Sequence, residues 1–471
     1  MVSAEHARVA VIGAGVTGLN AARRLRQEGV DVVVLEASGR VGGQIRTVEV
    51  GGTAVDVGAE AMHLGAPGAA DLIDSLGLTD SMVTARPGSS WIVTPRGLRR
   101  VPAGVGPAGP TRLRPVLASG VMTVPGLVRA GLEPALARVT GGADLSPGHD
   151  RSVGDFVGSR FGSQVVERFV DPLLGSLHAG DVRRLSLRAC TPSLVPAASE
   201  GRSLVAGRKK TGRKAPAMSF VSWREGLTRV VNALADDLDV RTDAPVERIE
   251  RRDDGGYRLA IGGGSPTTME ADQVVLAVSG RGAQKILAEL APRPAALVGQ
   301  TERADVATIV LAYPRHVVEA LPAFQGTGIL VPSSVGSLLK AATFLSTKWP
   351  HLDHPDLYFC RLSVGRAGDS RLASLDDDAL LTRVRADLKA FIGLDVTPRH
   401  THVQRWPATM PQLTVGHPDR LAAARAELPP GLVLAGSSYD GVGIASCLGS
   451  ANRAADAVLA SLTTAPGKAH A

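Results

Sequence analysis

Short apolar runs broken by glycine set the rhythm of this 471-residue chain. Val9 to Ile12 is wholly apolar, the pattern of a strand buried on both faces. Gly13-Ala14-Gly15-Val16-Thr17-Gly18 follows at once. Leu19 to Glu28 then has helical composition, and the valine-rich run Val30 to Leu35 ends at Glu36. The order strand, glycine turn, helix, strand is therefore predicted within about thirty residues. Further along, Gly226 to Leu238 carries apolar residues at helical spacing, and Asp239 to Ile249 reads as one strand-like run. Gly255 to Gly263 and Thr267 to Val278 read as hairpin strands. Gly431 to Cys447 reads as strand, turn and helix start, with Ser450 to Leu462 helical.

Between these pieces the texture changes. Pro95 to Val139 is rich in Pro, Gly, Arg and Leu, and Ser152 to Leu187 is helical in part, so residues 95–205 are expected to form a mostly helical insertion. Residues 296–415 mix strands and loops and are expected to form a mixed α+β substrate domain. Ser199 to Lys214 is a basic, glycine-containing run expected to be a solvated loop. The fold class is α/β, with further strand- and helix-like segments at 222–290 and 416–471 beside the opening stretch 1–85. No internal repeat is found.

The glycine turn carries the first chemistry. Gly13 permits the tight turn, Gly15 lets backbone approach a pyrophosphate, and Gly18 lets helix and strand pack closely. The helix start, with Val16 and Thr17, offers free N–H groups and a partial positive charge to phosphate. Glu36 lies 18 residues past Gly18 and can accept hydrogen bonds from ribose hydroxyls. A carboxylate there repels a 2′-phosphate, which disfavours NADP. A lone GxGxxG is weak, but strand, helix and acidic partner all fall in place here.

Ala37-Ser38-Gly39-Arg40-Val41-Gly42-Gly43-Gln44-Ile45-Arg46-Thr47 continues the motif. It resembles the run E-A-x-x-R-x-G-G-[RK] of the flavin-containing amine oxidase superfamily, departing at Gln44, where Arg46 can take over the charge. The resemblance implies a discontinuous Rossmann-type FAD-binding domain. It places Glu36, Ala37, Arg40, Gly42, Gly43 and Arg46 along the dinucleotide, and Gly58, Ala59 and Glu60, within Val55 to Glu60, near the isoalloxazine. Val246 is implied on the adenine side. Gly436, Tyr439, Gly441, Val442, Gly443 and Ile444 are implied at the flavin. The helix start there would favour the reduced, anionic ring. Cys447 stands near this motif without the usual cysteinyl-flavin pattern, so FAD is expected to be non-covalent.

Three more stretches narrow the resemblance to the porphyrinogen oxidases of that superfamily. Ser152-Val153-Gly154-Asp155-Phe156, with Arg160-Phe161-Gly162, Asp171-Pro172-Leu173 and Ala179-Gly180-Asp181, is similar to one of their patterns, with Asp171 in place of Glu. Leu338 to Pro350, LLKAATFLSTKWP, and Tyr439 to Cys447, YDGVGIASC, are similar to two others. The likeness runs over nearly the whole chain, and its soluble, Arg- and Ala-rich character points to the bacterial coproporphyrinogen III oxidases. The segment after Glu60, Ala61 to Pro67, departs from the usual arginine-containing text, which leaves a recruited substrate open.

That family implies removal of six electrons from coproporphyrinogen III in three two-electron steps, with oxygen as acceptor and hydrogen peroxide released, in haem biosynthesis. No side-chain base need be assigned, since the flavin is the electron acceptor. Cations for the substrate's propionates are expected from Arg96, Arg99, Arg100 and Lys348; Lys348 is also a candidate for holding water near the flavin. His63 and His178 are read as structural histidines before cleft residues. Protoporphyrinogen IX oxidation stays open, as does an amine oxidase-like oxidase or desaturase of secondary metabolism. Only four Tyr and four Trp are present, which disfavours the aromatic pair that amine oxidases present to flavin. A flavin-free binding protein on the same fold is a third reading.

Composition adds bounds. Hydrophobic residues make up 44% and aromatics 3%, so the core is built from Ala, Val and Leu. The net charge of +7 suits anionic ligands or a weak peripheral contact with acidic lipid, and does not demand nucleic acid. Cys190, Cys360 and Cys447 form no CxxC and cannot all pair, so a reduced, cytoplasmic protein without a cysteine metal site is expected. No leader or membrane-spanning run is read at the amino terminus or elsewhere. The oligomeric state is not legible.

Overall fold

The computed structural model describes residues 8–205 and 220–464. Five parallel strands form the first sheet, in the order Asp239–Arg241, Asp31–Leu35, Arg8–Ile12, Gln273–Leu276 and Leu432–Leu434. Its strands come from three separated segments, as the discontinuous reading expects. Val9 and Val11 face one core and Ala10 and Ile12 the other, so the apolar run is buried on both faces. Helices Val16–Gln27, Thr228–Ala235 and Ile444–Thr464 cover the first face. An antiparallel sheet of Val246–Arg251, Tyr257–Ile261 and Thr267–Ala271 covers the second.

Two runs break where the sequence reads continuous. Asp239 to Ile249 divides between two sheets, because Asp243 adopts φ 51° ahead of Pro245 and turns the chain. Thr267 to Val278 divides at Asp272: Thr267–Ala271 ends the hairpin and Gln273–Leu276 enters the parallel sheet. In the other direction, the last helix starts at Ile444, six residues ahead of the expected Ser450.

The second large sheet has seven strands, in the order His400–Pro411, Arg303–Pro314, Leu357–Val364, Leu339–Phe344, Gly328–Leu330, Trp91–Thr94 and Gly97–Arg100. Helix Asp377–Ile392 packs on one face with Leu380, Val384 and Leu388. The opposite face looks toward the nucleotide domain. The last two strands come from the hairpin at residues 91–100, so the expected helical insertion from 95 begins with sheet. Helices follow from Leu113–Ala118 onward, including Val124–Gly131, Glu133–Thr140 and Val153–Phe161. A ten-residue π-helix, Val166–Gly175, contains Pro172. The missing proline N–H and its ring widen the turn there. Of the basic run 199–214, residues 206–214 lie outside the described residues. No helix among the described residues is long and apolar enough to cross a membrane.

Candidate flavin and substrate site

The glycine turn has two kinds of glycine. A Cβ on Gly18 would lie 1.9 Å from the Gly13 carbonyl oxygen, and one on Gly13 2.7 Å from that of Ala277. These two serve packing. A Cβ on Gly15 would meet nothing within 4 Å. Gly15 caps the 12-residue helix Val16–Gln27 with no side-chain cap and no acidic residue in the first turn. The first N–H groups of that helix therefore face open space with their partial positive charge.

The next loop folds over this opening. Gly42 N–H donates to Ala14 O at 2.8 Å, and a Cβ on Gly43 would lie 3.3 Å from Gly15 Cα. Arg40 holds the loop's shape by donating to the carbonyls of Val41, Ile45 and Gly43 at 3.1, 3.2 and 2.6 Å. That is a different use from lying along a diphosphate. Burial, and then the neighbouring Arg46 charge, lower the Arg40 pKa. Arg46 itself makes no side-chain hydrogen bond among the described residues, which leaves its charge for a ligand. Glu36 accepts Ala14 N–H at 2.8 Å on one oxygen, and Ser38 N–H and Oγ at 2.9 and 2.7 Å on the other. A carboxylate offers about four acceptor positions, so room remains for ribose hydroxyls. Ala37 is exposed beside it. Ala244 N–H donates to Glu36 O at 2.8 Å, which brings Val246 to the end of the Glu36 strand.

The carboxy-terminal motif arrives at the same place. A Cβ on Gly436 would lie 3.7 Å from Thr17 Oγ1, and Asn20 on the first helix bonds Asn452 on the last at 3.1 Å. Gly441 and Gly443 adopt φ 123° and 100°, and a Cβ on Gly443 would meet nothing within 4 Å. Val442 is half-buried and Ile444 opens the 21-residue final helix. Tyr439 is different. Its ring is buried in the nucleotide-domain core and its hydroxyl donates to Val278 O at 3.0 Å.

Gly58 touches the loop closely: a Cβ there would lie 1.9 Å from Gln44 O. Ala59 and Glu60 follow. Glu60 accepts from Lys348 Nζ at 2.6 Å, Trp349 Nε1 at 3.1 Å and Arg361 Nη1 at 3.1 Å. Burial by itself raises a carboxyl pKa, but the two cations outweigh it and hold Glu60 down at about 2. Asp56, buried beside it, is pushed up to about 6 by desolvation against bonds from Thr47, Leu227 and Ser222.

The expected substrate cations are not gathered. Arg96 is exposed in the hairpin turn. Arg100 stacks on the Trp91 ring at 4.4 Å and bonds Ser89 Oγ at 2.9 Å. Arg99 faces the other side of the same strand, near Gly120. Lys348 is bound to Glu60. His178 is buried and neutral, its pKa pushed down to about 4 by burial; His63 packs edge-on against Phe220 at 5.3 Å. Sequence reasoning passed over Arg361, while Trp349 stood in the motif Leu338 to Pro350 without a role. The available signal for Arg361 was a charged residue inside the largely apolar strand Leu357–Val364.

The family model described as "Flavin containing amine oxidoreductase" matches residues 16–459. The chain belongs to this family. The open glycine cradle, the acidic ribose partner and the free helix start fit a flavin dinucleotide, and the protein is a flavin-dependent oxidoreductase. Its sequence is 34% identical to the coproporphyrinogen III oxidase of Mycobacterium tuberculosis over 96% of this chain and 97% of that one. It is 30% identical to that of Bacillus subtilis over 93% and 95%. A crystal structure assigned as a protoporphyrinogen oxidase of Exiguobacterium sp. 255-15 superposes with a TM-score of 0.82 at 27% identity, covering 97% of this chain and 99% of that one.

Proposed function

We propose that this flavoprotein oxidises coproporphyrinogen III to coproporphyrin III with oxygen, in three two-electron steps that release hydrogen peroxide. The observation carrying the reading is the end-to-end likeness to coproporphyrinogen III oxidases at 30–34% identity. The chemistry supplied by bound FAD is two-electron acceptance from a bridge carbon and return of the electrons to oxygen.

The chain's own residues do the holding. Gly15, Gly43 and the first N–H groups of Val16–Gln27 cradle the diphosphate, with Arg46 as its countercharge. Glu36 accepts from ribose. Gly443 lets backbone approach the ring closely, and Gly58 seats the Gln44 loop beside it. The Lys348–Glu60–Arg361 ion network fixes the wall between the nucleotide domain and the seven-stranded sheet, so a bulky substrate meets a rigid, water-poor surface. FAD is held without a covalent bond: Cys447 is buried, and desolvation raises its thiol pKa, so the reactive thiolate is suppressed.

The protein works in the cytoplasm with a loose peripheral contact at acidic lipid. Leu117, Val124, Val128, Leu132 and Val139, each at least half exposed, lie along the helical segment and support that contact.

Aerobic turnover of coproporphyrinogen III and protoporphyrinogen IX, compared side by side by porphyrin fluorescence, tests the reading. A faster gain with coproporphyrinogen III is expected. No gain above autoxidation with either would reject it, and a preference for protoporphyrinogen IX would move the assignment to that substrate.

A further inference from the structure

Lys340 lies 2% exposed in the middle of a sheet. The register between strands Leu339–Phe344 and Leu357–Val364 slips between Leu339 and Ala341, so Lys340 is the extra residue of a β-bulge. Bulges re-aim a side chain. Leu339, Ala342 and Phe344 pack under helix Asp377–Ile392, whereas Arg361 and Ser363 on the neighbouring strand alternate to the opposite face. Arg361 reaches the nucleotide domain, donating to Glu60 and to the Gly58 carbonyl.

A third cation stands beside these. Val331 N–H donates to Lys340 O at 3.0 Å, and Val331 O accepts from Arg366 Nη2 at 2.8 Å, so a single residue brackets Lys340 and Arg366. Ser176, just past the π-helix, donates to Lys340 O at 3.2 Å. The cluster therefore sits where the sheet, the helical segment and the nucleotide domain meet.

Its donors are largely unspent. Arg361 Nε and Arg366 Nε and Nη1 are buried without a hydrogen-bond partner. Lys348, Arg361 and Arg366, joined by Lys340 when it is protonated, stand against Glu60 and Asp171, leaving a positive excess. Asp369, the other acid near Arg366, is paired with Arg371 at 2.6 Å. Buried like charges without a counterion are costly unless an anion joins them.

We propose that Lys340, Arg361 and Arg366 form a buried subsite that anchors an alkyl carboxylate arm of the substrate. Three cations converging from a bulge and a neighbouring strand match a carboxylate's two oxygens. The choice of a propionate rests on the function proposed above; the carboxylate chemistry does not. Lys340 contacts that carboxylate directly and acts on binding.

The test is equilibrium binding of coproporphyrin III and of its tetramethyl ester to the holoenzyme, in wild type and Lys340→Met, with Lys340→Gln if the first fails to accumulate. Removing an uncompensated buried charge should leave the fold intact. We expect wild type to prefer the acid over the ester and the variant to lose about tenfold to a hundredfold of that preference, with binding of the ester unchanged. With coproporphyrinogen III, KM should rise more than kcat falls. An acid-to-ester ratio equal in wild type and variant, including no preference in either, overturns the subsite whatever the turnover. Absence of turnover with an intact, Lys340-dependent ratio would instead reject the proposed reaction alone.

Discussion

Lys348 and Glu60, 288 residues apart in sequence, meet at 2.6 Å between Nζ and Oε1. This pair ties the seven-stranded sheet to the nucleotide domain, and Arg361 completes it from the next strand. Glu60 has a folded-state pKa of about 2, below its ordinary 4.5. Its contribution to stability is therefore complete above about pH 4.5 and is lost as pH falls toward 2. Glu60→Gln should flatten that acid limb of the melting curve. It should also destabilise at pH 7 by about 3–5 kcal/mol, because two buried cations lose their partner. Thermal melts of wild type and variant from pH 3 to 7, read against this window, check both effects.

Gly15 and Gly18 should separate ligand binding from folding. Gly15 has φ −72° and open space around a Cβ, so Gly15→Ala should fold with an unchanged apoprotein melting temperature and lose bound flavin. Gly18→Ala puts a methyl group 1.9 Å from a carbonyl oxygen and should destabilise the apoprotein as well. Absorbance at about 450 nm per protein, beside apoprotein melts, distinguishes the two.

Lys340 gives stability a basic limb. Burial, then the charges of Arg366 and Arg361, push its pKa down to about 7 from 10.5. Between those values the unfolded chain binds the extra proton, so stability rises with pH from about 7 to 10.5. Facing it are Arg361, Arg366, the Lys348–Glu60 pair, Asp171 and neutral His178. Glu60 and His178, at about 2 and about 4, hold one protonation state through that interval, so the comparison with Lys340→Met isolates the Lys340 share. The variant should show a shallower rise in melting temperature over the same interval.

The exposed apolar side chains of the helical segment should govern vesicle binding and leave chemistry alone. Val128 and Val139 are 62% and 84% exposed. Val128→Ser with Val139→Ser should lower the fraction sedimenting with phosphatidylglycerol vesicles and leave turnover in detergent-free buffer unchanged. Equal sedimentation of variant and wild type would remove the lipid contact from the account.

Acid precipitation should release all flavin from the polypeptide, as a non-covalent FAD requires. Flavin absorbance retained in the washed pellet would point to a covalent bond.

The nucleotide half was legible in sequence because its physics is local. A strand buried on both faces, a helix start without a cap, and glycines at fixed spacing are written within about thirty residues, and each must be there for a dinucleotide to fit. Strand Leu432–Leu434 was legible for the same reason, as an apolar run with glycine turns, whereas Gln273–Leu276 was read as part of the hairpin run from Thr267 to Val278. What joined them could not be read. Asp243 at positive φ moved Val246 to another sheet, and the hairpin at residues 91–100 left the expected helical insertion for the seven-stranded sheet. The arginines expected together at the substrate are spread apart because an arginine's sequence neighbours do not say which face of a strand it takes. Arg99 and Arg100 face opposite ways, while a one-residue bulge turns Lys340 toward Arg366. Burial of charge is a property of the assembled layers: only when the sheet, the π-helix and the Glu60 loop close on one another do these cations lose water.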